Sequence, residues 1–243
     1  MKKSIGAVVG AITVAATTLA ATLAAATLAS VAHAQWSGSL EGGSVRSNGV
    51  TGTVLTFKLE NRQKPLTQRI FVDWLQASNN ADEYQLRYEP RYWLSEQVFA
   101  SANASIRAFD SLNLDNHNRT LGVGLGRQLI SSETSQLVAE ATLSNLTSVR
   151  EATLGNTRIS DSEVFAGVKI DGSHLLSDSI LLNLDTDYQV SEDSSLGVAE
   201  AGIALKIVNG GSIKYAYRYQ RSALGDLAAV SDSSSSVSVG YSF

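Results

Sequence analysis

The side chains of this sequence that could do chemistry are charged residues spaced two apart. Asp185 and Asp187 show this spacing, and Arg87 and Arg91 are separated by four residues, which is twice the spacing. Side chains two residues apart point to the same face of a β-strand, so such segments would line one surface with acids and bases. The set that we predict to share an inner face, a lumen charge network, comprises Arg87, Arg91, Arg107, Glu140, Glu163, Asp185, Asp187, Glu200, Lys214 and Arg218.

Acids and bases are nearly balanced on this predicted inner face. The same parity adds Lys58, Arg69, Lys169, Lys206, Glu41, Glu60, Asp73, Glu89 and Asp171. An isolated charge in a confined interior carries a large desolvation penalty, so balanced charges predict ion pairs. A selective pore would instead carry a bias of one sign at its constriction. The balance therefore predicts a narrow lumen crossed by salt bridges.

Histidines are the candidate bases for a hydrolase. His117 lies near Ser111 and Asp115, in a segment that we expect to be an external loop, and His174 follows Ser173. Nucleophilic catalysis needs a serine, a base and a group that orients the base, and neither histidine lies in a recognisable motif of that kind. We therefore predict no enzyme and no catalytic residue. An acyl hydrolase acting on outer-membrane lipid or lipopolysaccharide stays open as the less favoured alternative.

Metal and nucleotide sites are also disfavoured. Four acids lie close together in the sequence, namely Asp185, Asp187, Glu192 and Asp193. Oxygen ligands of this kind can bind a divalent cation. We expect Asp185 and Asp187 to pair with Lys206 and Lys214 instead, so we predict no metal and no cofactor.

Three glycines, Gly122, Gly124 and Gly126, are spaced two apart rather than as a dinucleotide-binding loop. They predict small residues on the inner face of a strand, where they leave room for bulky neighbours.

The elements that must position these residues are β-strands, because apolar and polar residues alternate along almost the whole chain. In the last segment Val237, Val239, Tyr241 and Phe243 alternate with serine and glycine. This alternating face, ending in an aromatic residue, is the predicted assembly signal of an outer-membrane barrel. The predicted strands, about twelve with ten as the alternative count, are 36–46, 50–60, 67–77, 82–94, 97–109, 119–130, 134–147, 161–173, 178–191, 195–208, 211–221 and 233–243.

Strand length and connections favour a closed, all-β, antiparallel transmembrane barrel. Each predicted strand reaches the roughly 9–11 residues that a tilted strand needs to cross a bilayer. The long connections, 110–118, 148–160 and 222–232, all fall at one end, as in outer-membrane barrels. A soluble, lipocalin-like barrel would point its apolar residues inward. Aromatic residues near predicted strand ends favour the membrane barrel, namely Trp36, Trp74, Tyr84, Tyr92 and Tyr215.

Residues 1–34 have the features of a cleaved signal peptide. Lys2 and Lys3 precede a long apolar stretch, and Ala32 and Ala34 are the small residues that signal peptidase reads. We expect cleavage before Gln35, which leaves residues 35–243 as the barrel. A retained membrane-anchoring helix is the alternative.

Composition narrows the possible partners. The chain carries 19 basic and 23 acidic residues and no cysteine. The acidic balance argues against nucleic acid, and the absence of cysteine excludes disulfides and thiolate metal sites.

The first half of the chain resembles the family of salt-induced outer-membrane proteins, whose function is unknown. The resemblance rests on Trp36-Ser37-Gly38, residues 49–53, Glu83-Tyr84, Arg87, Tyr88, Tyr92, Arg119 and residues 122–128, with the less specific ending Val239 to Phe243. The resemblance implies a barrel in the outer membrane of a Gram-negative bacterium and a loose link to salt or osmotic stress. It implies no catalytic residues.

Two functions are thus expected for a barrel of this type. The first is a structural or stress-linked envelope protein with a narrow, charge-balanced lumen. The second is a porin-like channel for small solutes. The expected partners are outer-membrane lipids and, during biogenesis, the outer-membrane assembly machinery, and the oligomeric state is left open.

Overall fold

The computed structural model describes residues 36–47, 50–77, 82–111, 114–152, 157–224 and 229–243. The part from Ser37 to Phe243 forms one compact unit. The expected signal peptide, with its cleavage point, lies outside the described residues. Among the residues that are described, no helix is long and apolar enough to cross a membrane.

The described residues form twelve β-strands, the larger of the two predicted counts. Their bounds are β1 Trp36–Ser47, β2 Val50–Asn61, β3 Leu66–Ala77, β4 Asp82–Trp93, β5 Val98–Ser111, β6 Leu114–Ser131, β7 Ser135–Ala152, β8 Thr157–Ser177, β9 Ile180–Val190, β10 Ser194–Lys206, β11 Gly211–Leu224 and β12 Val230–Ser242. Each strand neighbours the next along the chain, and β1 neighbours β12, so the sheet closes on itself. The paired strands are antiparallel, and the fold is the closed all-β barrel that the alternation predicts.

The seam between the first and last strands completes the barrel. β1 and β12 pair from Ser39–Ser242 to Ser47–Ser234. At the end of the seam the backbone N–H groups of Gly38 and Phe243 each donate a hydrogen bond to the carbonyl of the other, at 2.9 and 3.0 Å. Closure satisfies the backbone groups that an open sheet would leave unpaired at its edges.

Apolar side chains cover the outside of the barrel rather than its inside. On β6, Leu121 is 67% exposed, and Val123 and Leu125 on the same face are similarly exposed. The glycines that alternate with them face the lumen. A soluble barrel would place these leucines and valines in its core, whereas a barrel in lipid places them outside. The outward apolar face therefore decides against the lipocalin-like alternative.

The two rims of the barrel differ. The terminal rim carries both barrel termini and the turns at 62–65, 94–97, 132–134, 178–179 and 207–210. The opposite ends of the strands form the far rim. Strands β6, β7 and β8 have 18, 18 and 21 residues and extend furthest at the far rim.

The predicted long external loops are wrong at 110–118 and 148–160, and partly at 222–232. β6 begins at Leu114 and pairs there with Ala152 of β7, and Ala152 in turn pairs with Thr157 of β8. These polar segments lack the apolar alternation by which we located strands. They continue as hairpins because pairing with a neighbouring strand needs backbone groups only.

Candidate functional site

Ionised side chains from opposite walls of the barrel meet in the lumen. We call this group the ion-pair layer, and it consists of Arg69, Glu89, Arg91, Glu140, Lys169 and Asp171. β3 and β4 supply Arg69, Glu89 and Arg91, while β7 and β8 supply Glu140, Lys169 and Asp171. Each side chain is inward because the apolar residues that alternate with it are outward.

The contacts of the ion-pair layer cross the lumen. Arg91 Nη2 lies 2.9 Å from Asp171 Oδ2, and Arg69 Nη2 lies 3.5 Å from the same oxygen. Lys169 Nζ lies 3.6 Å from Glu89 Oε1. Three strands separate β4 from β8 along the sheet, so these pairs span the interior and do not follow the wall.

Glu140 lies at the most buried point of the layer. Its side chain is 7% exposed, accepts a hydrogen bond from Ser101 Oγ at 2.5 Å and lies 3.3 Å from Arg91 Nη2. A buried carboxylate with only one of these partners would carry an uncompensated desolvation cost. The hydroxyl and the guanidinium together satisfy both of its oxygens.

The glycines of β6 make room for this arrangement. A Cβ on Gly124 would lie 2.6 Å from Glu140 Oε1 and 2.5 Å from Ser101 Oγ. A Cβ on Gly126 would lie 2.1 Å from the ring of Phe99. The prediction that these glycines face inward and leave room for larger neighbours therefore has a specific steric basis.

Aromatic rings support the arginines of the layer. The Arg91 guanidinium lies 4.8 Å from the centroid of Phe99, a fully buried ring whose centroid is 5.1 Å from that of Trp93. Lys64, from the turn between β2 and β3, covers Trp93 at 4.0 Å. Cation–π contacts of this kind strengthen when they are removed from water. The stack connects the terminal rim to the ion-pair layer.

A second aromatic ring, that of Phe71, lies among cations of β2, β3 and β4. Arg87, Lys58 and Arg69 lie 4.3, 5.5 and 5.8 Å from the centroid of Phe71. Lys58 also pairs with Glu60 at 3.3 Å. The β2–β4 wall is thus lined by bases whose stems and planes pack on aromatic surface.

The structure brings many of the predicted charges into pairs. Arg91 and Glu140 meet directly in the ion-pair layer. Outside that contact the pairs are Arg87–Glu89 at 3.7 Å, Lys169–Asp187 at 3.8 Å, Arg107–Glu83 at 2.6 Å and Lys214–Glu200 at 3.2 Å. Ser191 Oγ donates a hydrogen bond to Glu163.

The specific partners expected for Asp185 and Asp187 are wrong. Asp187 pairs with Lys169 on the preceding strand, and Lys214 pairs with Glu200. Asp185 lies opposite the carboxylates of Asp171 and Glu200 in the strand register. The remaining member, Arg218, lies opposite Glu200. Sequence parity determines which face a charge occupies, but not which charge on another strand it meets.

Several central residues did not stand out in the sequence. Arg69, Glu89, Lys169 and Asp171 share the inward parity, yet no feature of the sequence marked them as the residues that cross the lumen. Glu83 was missing from the inward set, although it has the same parity as Arg87. Its bidentate contact with Arg107 shows its inward position.

The predicted assembly face lies on the outside of β12. Val237, Val239, Tyr241 and Phe243 all belong to the exposed apolar residues of the barrel. Tyr241 and Val239 pair with Leu40 and Gly42 of β1 across the seam.

The two histidines occupy strands. His117 lies within β6, opposite Ala108 and Val149, so its expected position in an external loop is wrong. His174 Nδ1 lies 2.8 Å from Ser135 Oγ at the terminal rim. The described part of the chain shows no hydrogen bond that would orient the other nitrogen of His174. It also contains no cluster of three or more metal-ligating side chains suited to a metal ion.

Comparisons with known proteins concern the fold and the family. No curated protein matches the chain. The translocator domain of the autotransporter NalP from Neisseria meningitidis is similar, with a TM-score of 0.54 and 13% identity over 93% of this chain and 96% of that one. NanC porin is also similar, with a TM-score of 0.52 and 9% sequence identity, and the match covers 84% of this chain and 98% of that one. At these identities the similarity concerns the barrel fold alone.

The profile of one protein family matches residues 15–243, which is most of the chain. This protein therefore belongs to the family described as "Protein of unknown function, DUF481".

Proposed function

We propose that this protein is a structural envelope barrel of the Gram-negative outer membrane, with a lumen that the ion-pair layer narrows. The terminal rim then faces the periplasm, as short turns do in outer-membrane barrels. The apolar exterior supports this location, and so does the similarity to the barrels of an autotransporter and a porin. A link to salt or osmotic stress is part of the proposal, on the basis of the family resemblance.

The observation that carries the proposal is the set of contacts that Asp171 makes across the lumen. One carboxylate on β8 holds Arg69 and Arg91 from β3 and β4. Glu89 and Lys169 form a further contact between the same walls. Paired charges exclude water less well than apolar residues do, but these pairs join opposite walls of the passage.

A channel for small solutes is the second candidate. It is favoured by the charged side chains that stay partly accessible, since Arg87 and Glu200 are 34% and 33% exposed. Both lie on the lumen face, Arg87 beside Glu89 of the ion-pair layer and Glu200 outside that layer. Water beside them would let small ions pass along the wall.

Planar-bilayer conductance separates the two candidates. The wild-type barrel should show small or undetectable currents with weak ion selectivity. Replacing Arg91→Gln together with Asp171→Asn should remove three ion pairs across the lumen, Arg91–Asp171, Arg69–Asp171 and Arg91–Glu140, and raise conductance. The matched control is Glu200→Gln with Lys214→Met, because that pair joins neighbouring strands only. Large, steady and strongly selective currents from the wild type would instead establish an open pore.

An enzymatic role is not part of the proposal. His117 lies directly opposite Ala108 and Val149, neither of which carries a nucleophilic side chain. The Ser135–His174 pair is the remaining candidate, and a phospholipid deacylation assay with His174→Ala would test it. The proposed partners are the lipids of the membrane and the assembly machinery during biogenesis.

A further inference from the structure

The outer face of the barrel has a shallow depression near the terminal rim. Its volume is about 400 Å³, and side chains of Leu125, Arg127, Ala139, Ala141 and Val168 line it. The cause is a change of side-chain size between neighbouring strands. Ala141 of β7 lies between Leu125 of β6 and Val168 of β8 in the register. Short alanine side chains therefore form the floor, and larger apolar side chains form the walls.

Arg127 is a charged residue at the edge of this depression. It is exposed on the outer face, because it shares the parity of Leu125 and lies opposite Ala139. Its Nη2 donates a hydrogen bond to Gln97 Oε1 at 3.2 Å. No acidic side chain of the described chain lies within ion-pair distance of it.

The position of Arg127 along the barrel limits what could neutralise it. It pairs with Val98, the first residue of β5, and so lies close to the terminal rim. An outward arginine costs about 2–4 kcal/mol at the bilayer midplane and about 0–1 kcal/mol near the interface. The residue therefore suits the headgroup level, where the available anions belong to lipids.

We propose that Arg127 and the adjacent depression bind one glycerophospholipid of the inner leaflet. The assignment to that leaflet rests on the proposed function, which places the terminal rim at the periplasm. The Arg127 guanidinium forms charge-assisted hydrogen bonds with the lipid phosphate, for which its planar arrangement of N–H donors is well suited. One acyl chain lies over Ala139 and Ala141, since small residues let a partner approach a membrane surface closely.

The test is native mass spectrometry of the detergent-solubilised, full-length processed barrel. Palmitoyl-oleoyl-phosphatidylglycerol is titrated into the wild type and into Arg127→Gln. We expect a single bound lipid on the wild type, and binding at least about ten-fold weaker for Arg127→Gln, the factor that corresponds to one charge-assisted hydrogen bond. The matched control is Arg119→Gln, an exposed arginine nearer the far rim of the same strand, which should bind like the wild type.

Filling the depression tests the acyl-chain part separately. Ala141→Phe should weaken lipid binding while Arg127 is intact, and Ala139→Leu serves if the first variant does not fold. Heat-modified mobility on a gel confirms folding of each variant. Equal lipid binding by Arg127→Gln and the wild type would overturn the proposal, as would displacement of the phospholipid by lipopolysaccharide. The proposed function is tested by conductance, which neither of these lipid-binding results would change. Failure of the lipid proposal would therefore leave the proposed function intact.

Discussion

The ring of Phe243 lies over the Cα of Gly38, at the place where the backbones of these two residues close the barrel. A Cβ on Gly38 would lie 2.5 Å from the ring of Phe243 and 3.2 Å from Leu59 Cδ2. The last residue of the chain thus forms two backbone hydrogen bonds with β1 and also covers its glycine with an aromatic face. Aromatic cover of a strand glycine is a known way of protecting its exposed backbone.

Deleting Phe243 should impair assembly of the barrel. The deletion removes both hydrogen bonds to Gly38 and the terminal residue of the alternating β12 face. We expect unassembled protein in the periplasm and a strongly reduced yield of heat-modifiable barrel in the outer membrane. Phe243→Tyr, which keeps the ring and the backbone pair, is the matched control and should assemble normally. An unchanged yield after deletion would argue against an assembly role.

Cleavage between Ala34 and Gln35 is the second prediction. Small residues at positions 32 and 34 follow a long apolar stretch, which is the pattern that signal peptidase recognises. N-terminal sequencing of membrane-extracted protein should therefore begin at Gln35. Ala34→Leu should slow processing, because a large side chain does not fit a cleavage site for small residues. A protein that retains Met1 in the membrane would contradict the prediction.

A methyl group added at Gly124 should destabilise the barrel. It would lie within 2.6 Å of Glu140 Oε1 and 2.9 Å of the backbone carbonyl of Ala141. Gly124→Ala should therefore lower the free energy of unfolding by about 1–3 kcal/mol, the usual range for overpacking. The control is Gly42→Ala, where the nearest atom would be at 3.7 Å. Urea unfolding of both variants in lipid vesicles measures the difference. Equal stabilities would contradict the prediction, because they would show that the neighbouring side chains accommodate the added methyl group without loss of stability.

Neutralising Asp185 should change ion selectivity more than stability. Its carboxylate faces Asp171 and Glu200 across the register, so its loss reduces like-charge repulsion in the lumen. We expect Asp185→Asn to shift the reversal potential toward anions while the urea midpoint is kept or raised.

Asp187→Asn is the informative comparison, because Asp187 pairs with Lys169. This variant should lose about 1–3 kcal/mol of stability through the weakened pair. A larger loss of stability in the Asp185 variant than in the Asp187 variant would contradict the assigned contacts.

The sequence by itself determined that the chain forms about twelve β-strands and which side chains of each strand share a face. These properties are local, because an alternation with period two sets the orientation of a side chain without reference to other strands. The alternation of Val237, Val239 and Tyr241 with serine and glycine is enough to place them on one face. For the same reason the parity of Arg91 and Glu140 sufficed to place each on the polar face of its strand, and the structure decided that this polar face lines the lumen.

Only the tertiary structure decided which charges meet. Closure and the register between strands bring β3 and β4 opposite β8, so Asp171 pairs with Arg69 and Arg91. Asp187 pairs with Lys169 rather than with Lys214. The extension of β6 to β8 also depended on pairing, because backbone hydrogen bonds continue the hairpins through polar segments. Distances across a barrel depend on all twelve strands together, and no local pattern in one segment contains them.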